Sequence, residues 1–557
     1  MTIDFPAGAR AADALLHDHV IRRIWDRDIS VWGAAPDSAD ARSIVSRLGW
    51  LEVHQATEPE LGRVAALGDA MEAERIRAVY LLGMGGSSLC AEVLASVFGT
   101  AADHPELFVL DTTDELTIAN VASRLEPEAA LFLVSSKSGG TVEVASLERY
   151  FWARMSAALG RSAGRHFVAI TDPNTALQKL AEQRGYREVF VNPPDIGGRF
   201  SALSLFGLVP AALIGAPVDE LAAGGRVMAE GCRQENHANP GLELGAFIGA
   251  AVRDGRDKLT LALSPRLASL GLWIEQLVAE STGKHGTGAL PVVDETLGRP
   301  DEYGSDRAFV ALATDVDAPD ADRLRALEGA GHPVLRLSMR LDGLGAEFFR
   351  WEFATAVAGA VLRINPFDEP NVSEAKEKTK ALLNAYGESG ELPEPAIAAE
   401  DDSVSIFSRR FSGPTPGVIV RKALDSLESG DYVAFLSYLP GAADVRAAIA
   451  AVRQGIRART RAASTFGLGP RYLHSTGQYH KGGPNTAVAF VLTADDATST
   501  EIPDAGYSFA VLKRAQALGD AQTLQAHNRR TVRIHVKDAD RAAETIERLF
   551  ADALARR

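Results

Sequence analysis

The stretch Val79-Tyr-Leu-Leu-Gly-Met-Gly-Gly-Ser-Ser-Leu89 passes from a short apolar run, through a glycine-rich turn, into a helix-like segment. This order is typical of a buried strand that ends in a tight turn before a helix. Glycines let the backbone approach an anion closely, and the start of a helix offers unpaired N–H groups. Gly85, Gly86 and Ser87 are therefore candidate phosphate ligands, and a turn shaped only for packing is the alternative.

This turn departs from two common nucleotide-binding motifs. A P-loop requires Gly-Lys-Ser/Thr after the glycines, and that tripeptide does not follow here. Ser88 occupies the place of the third glycine in the dinucleotide-binding fingerprint. The turn alone thus indicates an anion site without identifying the ligand.

A second turn of the same kind follows in Val134-Ser-Ser-Lys-Ser-Gly-Gly-Thr-Val-Glu143. The hydroxyls of Ser136, Ser138 and Thr141, with the backbone or the ammonium group of Lys137, could surround phosphate oxygens. In a doubly wound sheet, turns of this type meet at the carboxyl ends of the strands, where ligands bind. The two turns predict one phosphate site, and a solvated Ser-rich loop is the alternative.

Short apolar runs alternate with helical stretches along most of the chain. The runs lie at 79–82, 107–110, 131–134, 167–170, 259–263, 309–312 and 334–337. This alternation predicts an α/β fold with doubly wound parallel sheets and helices on both faces. The boundaries are a helical segment at 1–60, α/β domains at 61–215 and 216–390, and a C-terminal α/β domain at 403–557. A linker rich in Pro, Glu and Ala precedes the last domain.

Composition narrows the class of function. The 557 residues carry a formal charge of −15, which argues against nucleic-acid binding but allows a small anionic ligand. The two cysteines, Cys90 and Cys232, are far apart and form no Cys-x-x-Cys pair, so we expect a reducing compartment. The chain has no long uncharged span and no basic start followed by an apolar core. These features predict a cytoplasmic protein without a membrane partner.

Five motifs together resemble the phosphoglucose isomerase family and occur in that family's order between residues 75 and 385. They are Gly83-Met-Gly-Gly-Ser-Ser, Ser136-Lys-Ser-Gly-Gly-Thr, Gly197-Gly-Arg-Phe-Ser, Glu280-Ser-Thr-Gly-Lys and Asn365-Pro-Phe-Asp-Glu-Pro-Asn-Val-Ser-Glu-Ala-Lys. The resemblance implies two sugar-isomerase (SIS) domains and the interconversion of glucose 6-phosphate and fructose 6-phosphate through an enediolate, without a cofactor. More narrowly, Arg22-Arg-Ile-Trp-Asp-Arg-Asp and the C-terminal unit resemble the isomerase half of bacterial transaldolase–isomerase fusion proteins.

The resemblance assigns roles to three residues. Glu280 is the expected base; it ends an apolar helix stopped by Gly283, and the helix dipole together with burial would raise its pKa. Arg199 is expected to stabilise the enediolate, because its guanidinium stays protonated and offers several donors. Lys376 is expected to hold the substrate and assist ring opening. The alternatives are an acidic residue before a helix end, a surface ion pair and a solvated charged helix face, respectively.

The sequence departs from the family at the histidine that opens the sugar ring. The corresponding stretch, residues 302–309, contains no histidine. Two histidines appear later, in Tyr472-Leu-His-Ser-Thr-Gly-Gln-Tyr-His-Lys. Because histidine can donate a proton near neutrality, His474 or His480 could fill the vacancy from the C-terminal unit, and a structural role is the alternative.

Two other functions remain open at this point. One is a nicotinamide-dependent dehydrogenase with Asp111 as the ribose ligand, which the missing third glycine disfavours. The other is a non-catalytic sugar-phosphate sensor, which would need the turns but no base. No His, Asp or Glu cluster has metal-ligand spacing, so we expect no metal. The family's site borrows residues across a dimer interface, so a homodimer is possible.

Overall fold

The computed structural model describes residues 5–555 and contains three β-sheets with helices on both faces. The predicted α/β fold class is confirmed. Five short helices precede the first sheet: α1 (Pro6–His17), α2 (Val20–Trp25), α3 (Ala39–Val45), α4 (Val53–Thr57) and α5 (Leu61–Ala73). Trp50 from this segment is buried among aromatic side chains that include Phe200 and Phe353. The segment therefore packs against elements that follow it in the chain.

The first sheet has five parallel strands in the order β2-β1-β3-β4-β5. Its elements are β1 (Ala78–Gly83), α6 (Leu89–Phe98), β2 (Glu106–Leu110), α7 (Glu115–Ser123), β3 (Ala130–Ser135), α8 (Val142–Leu159), β4 (Phe167–Thr171), α9 (Ala176–Arg184), β5 (Glu188–Val191) and α10 (Leu205–Leu213). The chain winds in opposite directions from β1 and β3, which are paired with Leu82 opposite Val134. The turns after β1 and β3 therefore lie side by side at the topological switch point, where α/β sheets bind ligands.

The second sheet has four parallel strands in the order β7-β6-β8-β9. This part contains α11 (Val218–Gly231), α12 (Pro240–Arg253), β6 (Lys258–Leu263), α13 (Leu270–Thr282), β7 (Leu290–Val292), β8 (Arg307–Ala313), α14 (Ala321–Gly329), β9 (Val334–Ser338), α15 (Leu344–Leu362) and α16 (Val372–Ser389). Almost every residue of α13 and α15 is buried, because both helices lie between other layers. Helix α13 carries Glu280, so this burial removes the Glu280 side chain from solvent.

The C-terminal sheet has six strands in the order β10-β11-β15-β14-β12-β13. Its elements are β10 (Ala399–Glu400), β11 (Val404–Phe407), α17 (Pro416–Asp425), β12 (Tyr432–Ser437), α18 (Ala443–Thr460), β13 (Ala463–Leu468), α19 (Gly477–Gly482), β14 (Ala487–Ala494), α20 (Phe509–Ala526), β15 (Arg530–Val536) and α21 (Ala542–Ala555). Four strands are parallel, and β10 and β11 form an antiparallel edge. The unit is thus a third α/β layer structure.

The C-terminal unit covers the carboxyl edge of the first sheet through buried ion pairs. Arg471 Nε lies 2.6 Å from Asp111 Oδ2, just after β2. Lys513 Nζ, on α20, donates a 3.0 Å hydrogen bond to Asp114 Oδ2, which precedes α7. These contacts close the ligand edge of the first sheet with residues from the other end of the chain.

Among residues 5–555, no helix is long and apolar enough to cross a membrane. Cys90 and Cys232 are both free and buried. The domain limits given from the sequence stay predictions.

Candidate active site

The first glycine turn brings three distant segments together. Gly85–Ser87 form a short 3-10 turn after β1, and Gly85 has a positive φ of 55°. A Cβ atom on Gly85 would lie 2.7 Å from the carbonyl oxygen of His474 and 2.8 Å from Nε2 of Gln276. A Cβ atom on Gly86 would overlap the Gly198 carbonyl. These glycines are therefore needed for close packing, and a direct phosphate contact from Gly85, Gly86 or Ser87 stays a prediction.

The second turn leads directly into α8 and faces a cavity. Thr141 precedes the first residue of α8, and its side chain does not cap the helix. Its Oγ1 lies 3.2 Å from the hydroxyl oxygen of Ser136, and Ser138 Oγ accepts a 3.3 Å bond from the Gly140 N–H. The positive end of an 18-residue helix and several hydroxyls thus lie at one place, which suits an anion.

The ammonium group of Lys137 does not face this cavity. It contacts the carboxylate of Asp172 and donates a 3.0 Å hydrogen bond to the Pro194 carbonyl. The ammonium alternative raised from the sequence is therefore wrong, because a carboxylate at the end of β4 holds that charge. The backbone of Lys137 remains a candidate ligand.

The cavity next to the second turn has a volume of about 330 Å³. It is lined by residues of three parts of the chain, among them Ser138, Thr141, Glu143, Lys376, His474 and Gln516. Lys376 comes from α16 and is solvent-exposed, as the charged pattern of that helix predicts. A cavity of this size with convergent polar groups is typical of a small-molecule site.

Glu280 lies in the last turn of α13, and its carboxylate is buried. Gln276 Nε2, one turn earlier, donates a 3.2 Å hydrogen bond to Glu280 Oε2. Burial raises the pKa of Glu280, the nearby Arg199 guanidinium opposes this, and the Glu369 carboxylate adds to it, so that the pKa is above its usual value. Glu280 thus lies at the end of its helix and has a raised pKa, as the sequence predicts, and burial is the main cause of the shift.

Arg199 is held rigidly beside this carboxylate. Its Nη1 lies 3.7 Å from Glu280 Oε1 and donates a 3.0 Å bond to Glu369 Oε2. Its Nε donates to Ser281 Oγ at 2.8 Å, and its Nη2 donates to the carbonyls of Pro366 and Asp368 at 2.9 and 2.8 Å. A buried guanidinium with this many partners has a fixed direction, as a preorganised electrostatic group needs.

His474 connects the two turns. It ends the 3-10 turn Arg471–His474, and its carbonyl accepts a 2.8 Å bond from Gln276 Nε2, the same amide that bonds Glu280. Its Nε2 lies 3.0 Å from Glu143 Oε1, in the first turn of α8. Burial raises the pKa of Glu143, but His474, a backbone N–H of Glu143 itself and Lys376 together leave the pKa below its usual value. The C-terminal unit thus delivers an imidazole to the cavity.

His480 has a different environment. Its Nδ1 is hydrogen-bonded to Tyr432 Oη at 2.8 Å, and the two rings stack. Burial, together with Lys481 and Arg529, lowers the pKa of His480 to about 3. His480, like Glu280 and Arg199, is not among the residues that line the cavity, so it is set apart by its bond to Tyr432 and its lowered pKa. This is the structural role considered from the sequence, and ring opening is no longer assigned to His480.

Asp111 is not available to bind a ribose. Its Oδ2 is paired with Arg471 at 2.6 Å and accepts a 3.3 Å bond from Ser88 Oγ. The dehydrogenase alternative therefore loses the carboxylate on which it depended.

Four polar residues of the site were missed from the sequence: the buried Glu143, Gln276 and Gln516, and the partly exposed Glu369. Two of them carried a signal. Glu143 stands in the first turn of the helix after the Ser-rich turn, and Gln276 lies four residues before Glu280 on the same helix. Nothing local to Gln516 in the sequence points to the site.

The chain is similar to known proteins over much of its length. A family model described as "Phosphoglucose isomerase" matches residues 64–299. The glucose-6-phosphate isomerase of Rubrobacter xylanophilus is 30% identical over 376 residues, which cover 57% of this chain and 85% of that protein. The glucose-6-phosphate isomerase of Heliobacterium modesticaldum is 30% identical over 403 residues, which cover 61% and 88%.

Solved structures with the same fold include a hypothetical protein from Thermus thermophilus, with a TM-score of 0.59 and 25% identity. That alignment covers 68% of this chain and 98% of that protein. A glucose-6-phosphate isomerase from Chlamydia trachomatis aligns with a TM-score of 0.56 and 18% identity over 70% and 88% of the two chains. With the motifs, the buried Glu280–Arg199 pair and relatives that this chain covers almost completely, the conclusion is that the chain belongs to the phosphoglucose isomerase family.

Proposed function

We propose that this protein interconverts glucose 6-phosphate and fructose 6-phosphate, with Glu280 as the base. One observation carries the proposal: Glu280 is buried beside the fixed guanidinium of Arg199, and the Gln276 amide links its carboxylate to His474. A carboxylate with a raised pKa next to a preorganised cation suits proton abstraction next to a carbonyl group.

Ring opening comes first, because both sugar phosphates are mainly cyclic. His474 donates its Nε2–H to the carboxylate of Glu143, since an ionised carboxylate can only accept. This leaves Nδ1 to take the proton of the anomeric hydroxyl and pass it to the ring oxygen as the bond between C1 and that oxygen breaks. Lys376 lines the same cavity and would hold the substrate there.

Proton transfer follows in the open-chain form. Glu280 takes the proton from C2 of the aldose, and the C1 carbonyl oxygen becomes the enediolate oxygen. A proton then passes from the C2 hydroxyl to the C1 oxygen, and the same carboxyl group returns its proton to C1 to give the ketose. Arg199 stabilises the negative charge of the intermediate, and its five fixed contacts mean that little reorganisation is needed. All groups in these steps belong to the chain itself, so we expect no cofactor.

The phosphate is proposed to bind at the start of α8. Hydroxyls of Ser136, Ser138 and Thr141 and the backbone N–H of Lys137 would provide donors. The start of α8 supports this assignment, because Thr141 does not cap it and a helix start offers backbone N–H groups to an anion.

One chain contains every residue of the proposed site, since His474 reaches Glu143 from the C-terminal unit of the same polypeptide. We infer that a homodimer is not required for activity, although the family's site borrows residues across a dimer interface. Specific activity that stays constant on dilution to a monomeric concentration would support this inference, and activity that falls with dimer dissociation would overturn it. A cytoplasmic location and the likeness to fusion proteins remain predictions, the former supported by two unpaired cysteines.

The test compares the wild type with Glu280→Gln in a coupled assay that detects glucose 6-phosphate formed from fructose 6-phosphate. We expect turnover by the wild type and a loss of at least about a thousandfold in the variant, which keeps the side-chain volume but cannot take a proton. Both proteins should bind the sugar phosphate, measured by calorimetry. Binding without turnover in the wild type would instead support the sugar-phosphate sensor.

A further inference from the structure

Helix α20 sends three polar side chains from one face toward the first sheet and the active-site cavity. Lys513, Gln516 and Asp520 follow one another at helical spacing and are all buried. Lys513 pairs with Asp114, and Asp520 accepts a 2.6 Å bond from Tyr472, two residues before His474. Gln516 lies between these two anchors and lines the cavity itself. The helix therefore places Gln516 with little freedom to move.

Both ends of the Gln516 amide are bonded to the first domain. Its Oε1 accepts a 2.9 Å hydrogen bond from Thr113 Oγ1, and its Nε2 donates a 2.7 Å bond to Glu143 Oε1. The orientation of the amide follows from chemistry, because an ionised carboxylate only accepts and the amide nitrogen only donates. The Thr113 hydroxyl can serve as donor to the remaining amide oxygen, so the whole row is satisfied in one orientation.

Glu143 Oε1 is thus shared between Gln516 and His474. A buried carboxylate that accepts two such bonds stays ionised and keeps a fixed direction. The charge of Glu143 in turn decides which nitrogen of His474 carries the hydrogen, because an ionised carboxylate must accept from Nε2. The proton-exchanging atom of His474 in the cavity therefore depends on the state of Glu143.

We propose that Gln516 is a positioning residue for ring opening, whose amide holds Glu143 ionised and aligned so that His474 presents Nδ1 to the sugar. This inference rests on the proposed role of His474 and adds a residue from the C-terminal unit to it. In the row Thr113–Gln516–Glu143–His474, residues of the first domain alternate with residues of the C-terminal unit. The imidazole is therefore aligned only when the two units are packed together.

The titratable groups that face Glu143 come from several elements. His474 lies in the turn after β13, Lys376 on α16, Tyr438 just after β12 and Tyr507 before α20. Burial raises the pKa of both tyrosines, which stay neutral at working pH. His474 and Lys376 lower the pKa of Glu143, so they favour its ionised form in the same direction as the hydrogen bond from Gln516.

The first variant is Gln516→Met, which keeps the length of the side chain and removes both hydrogen bonds. Without the amide donor the carboxylate of Glu143 takes up a proton more easily, so the acid limb of kcat should move to higher pH by about one unit. At neutral pH we expect kcat to fall about tenfold, as for loss of one bond to a charged group. Interconversion of the α and β anomers of glucose 6-phosphate, followed by NMR exchange, should fall in parallel, because it needs ring opening but no proton removal from carbon.

The second variant is Gln516→Glu, which should give the opposite pH response. Two carboxyl groups at this spacing share one proton, and the shared proton restores a donor toward Glu143. Activity should therefore be low at neutral pH and should recover as the pH is lowered, whereas the Met variant loses activity on the same change. If Gln516 had only a structural role, the two variants would not respond to pH in opposite directions.

Gln525→Met, on the same helix but outside the cavity, is the matched control for packing and folding. Its pH profile, anomer exchange and melting temperature should match those of the wild type. Gln516 variants that fold and show a wild-type pH profile, or a loss of activity that is equal at every pH, would overturn the inference. Failure of the proposed function is distinguishable, since it would leave the wild type without isomerase activity or leave Glu280→Gln active.

Discussion

The carboxyl edges of the two parallel sheets differ, although β2-β1-β3-β4 and β7-β6-β8-β9 have the same winding. At the first edge, the start of α8 is not capped by Thr141, and the Glu143 carboxylate that lines the cavity is paired with His474 and faced by Lys376. At the second edge, Asp320 caps α14 by accepting bonds from two backbone N–H groups at 3.0 and 2.9 Å.

The second edge also has a cavity, of about 480 Å³, but Asp294, Glu295 and Asp320 line it. Carboxylates there would repel a phosphate and already occupy the N–H groups that could bind it. The comparison teaches that two sheets with the same winding differ in capping and charge at their carboxyl edges, and that these differences favour an anion at the first edge. The helix α13 that follows β6 of the second sheet instead carries Glu280, the proposed base.

Placing a carboxylate at the start of α8, as Asp320 is placed at the start of α14, should have the largest effect on activity. In Thr141→Asp, a carboxylate would cap α8 and face the substrate phosphate, so kcat/KM should fall about a thousandfold. The measurement is steady-state kinetics with fructose 6-phosphate. Asp320→Thr, the matched change at the other edge, should leave kcat/KM unchanged, and equal losses in both variants would show that the edges do not differ in function.

Removal of the positive charge of Arg199 should have the next largest effect on activity. Arg199→Met should lower kcat several hundredfold, because one fixed donor to the developing negative charge is lost. Arg266→Met is the control, since Arg266 follows β6 at the second edge and contacts the Val97 carbonyl at 3.2 Å. We expect stopped-flow kinetics to show an unaltered rate for the control. A residual kcat in Arg199→Met within tenfold of wild type would contradict the electrostatic role.

The contribution of the C-terminal unit to the first edge can be tested by replacing His474 and His480 separately. His474→Ala should reduce isomerisation and anomer exchange of glucose 6-phosphate by about a hundredfold, the range for a general acid–base group. His480→Ala should instead lower the melting temperature, because it leaves Tyr432 unpaired in a buried core. Anomer exchange by NMR separates the two, and a His474→Ala variant with wild-type exchange would remove ring opening from that residue.

The smallest effect should come from a buried carboxyl group that faces away from the first edge. Burial first, and then Asp294, raise the pKa of Glu275 to about 8 against the opposing Arg453. Its neutral form therefore stabilises the fold fully below its unfolded pKa, and this stabilisation is lost as the pH rises to about 8.

Glu275→Gln removes that dependence without changing activity. The difference in melting temperature, wild type minus variant, should therefore become more negative between pH 5 and pH 8, as measured by calorimetry at several pH values. A difference independent of pH would show that Glu275 titrates normally.

Much of the fold could be predicted from the sequence because the strands are short apolar runs with a clear period. The run at 131–134 lies inside β3, and the helix ended by Gly283 carries Glu280 in its last turn. Such features depend on local pattern, capping and hydrophobicity, which a single sequence displays.

The details of the site depended on contacts between distant segments. Gln516 and Glu143 are 373 positions apart, and no local pattern indicates that α20 docks there. His474 and His480 stand in one polar stretch, yet one ends a turn in the cavity and the other is buried against Tyr432. The direction of the Lys137 ammonium group also depends on a distant residue, because it contacts the carboxylate of Asp172.

The central claim is that Glu280 moves a proton between C2 and C1 while His474 separately opens the ring. The direct measurement is NMR of glucose 6-phosphate in D2O with Glu280→Gln, following deuterium at C2 and exchange between the anomers. The account predicts that deuterium incorporation disappears while anomer exchange continues at close to the wild-type rate. Deuterium incorporation at the wild-type rate, or loss of both signals in a folded variant, would contradict it.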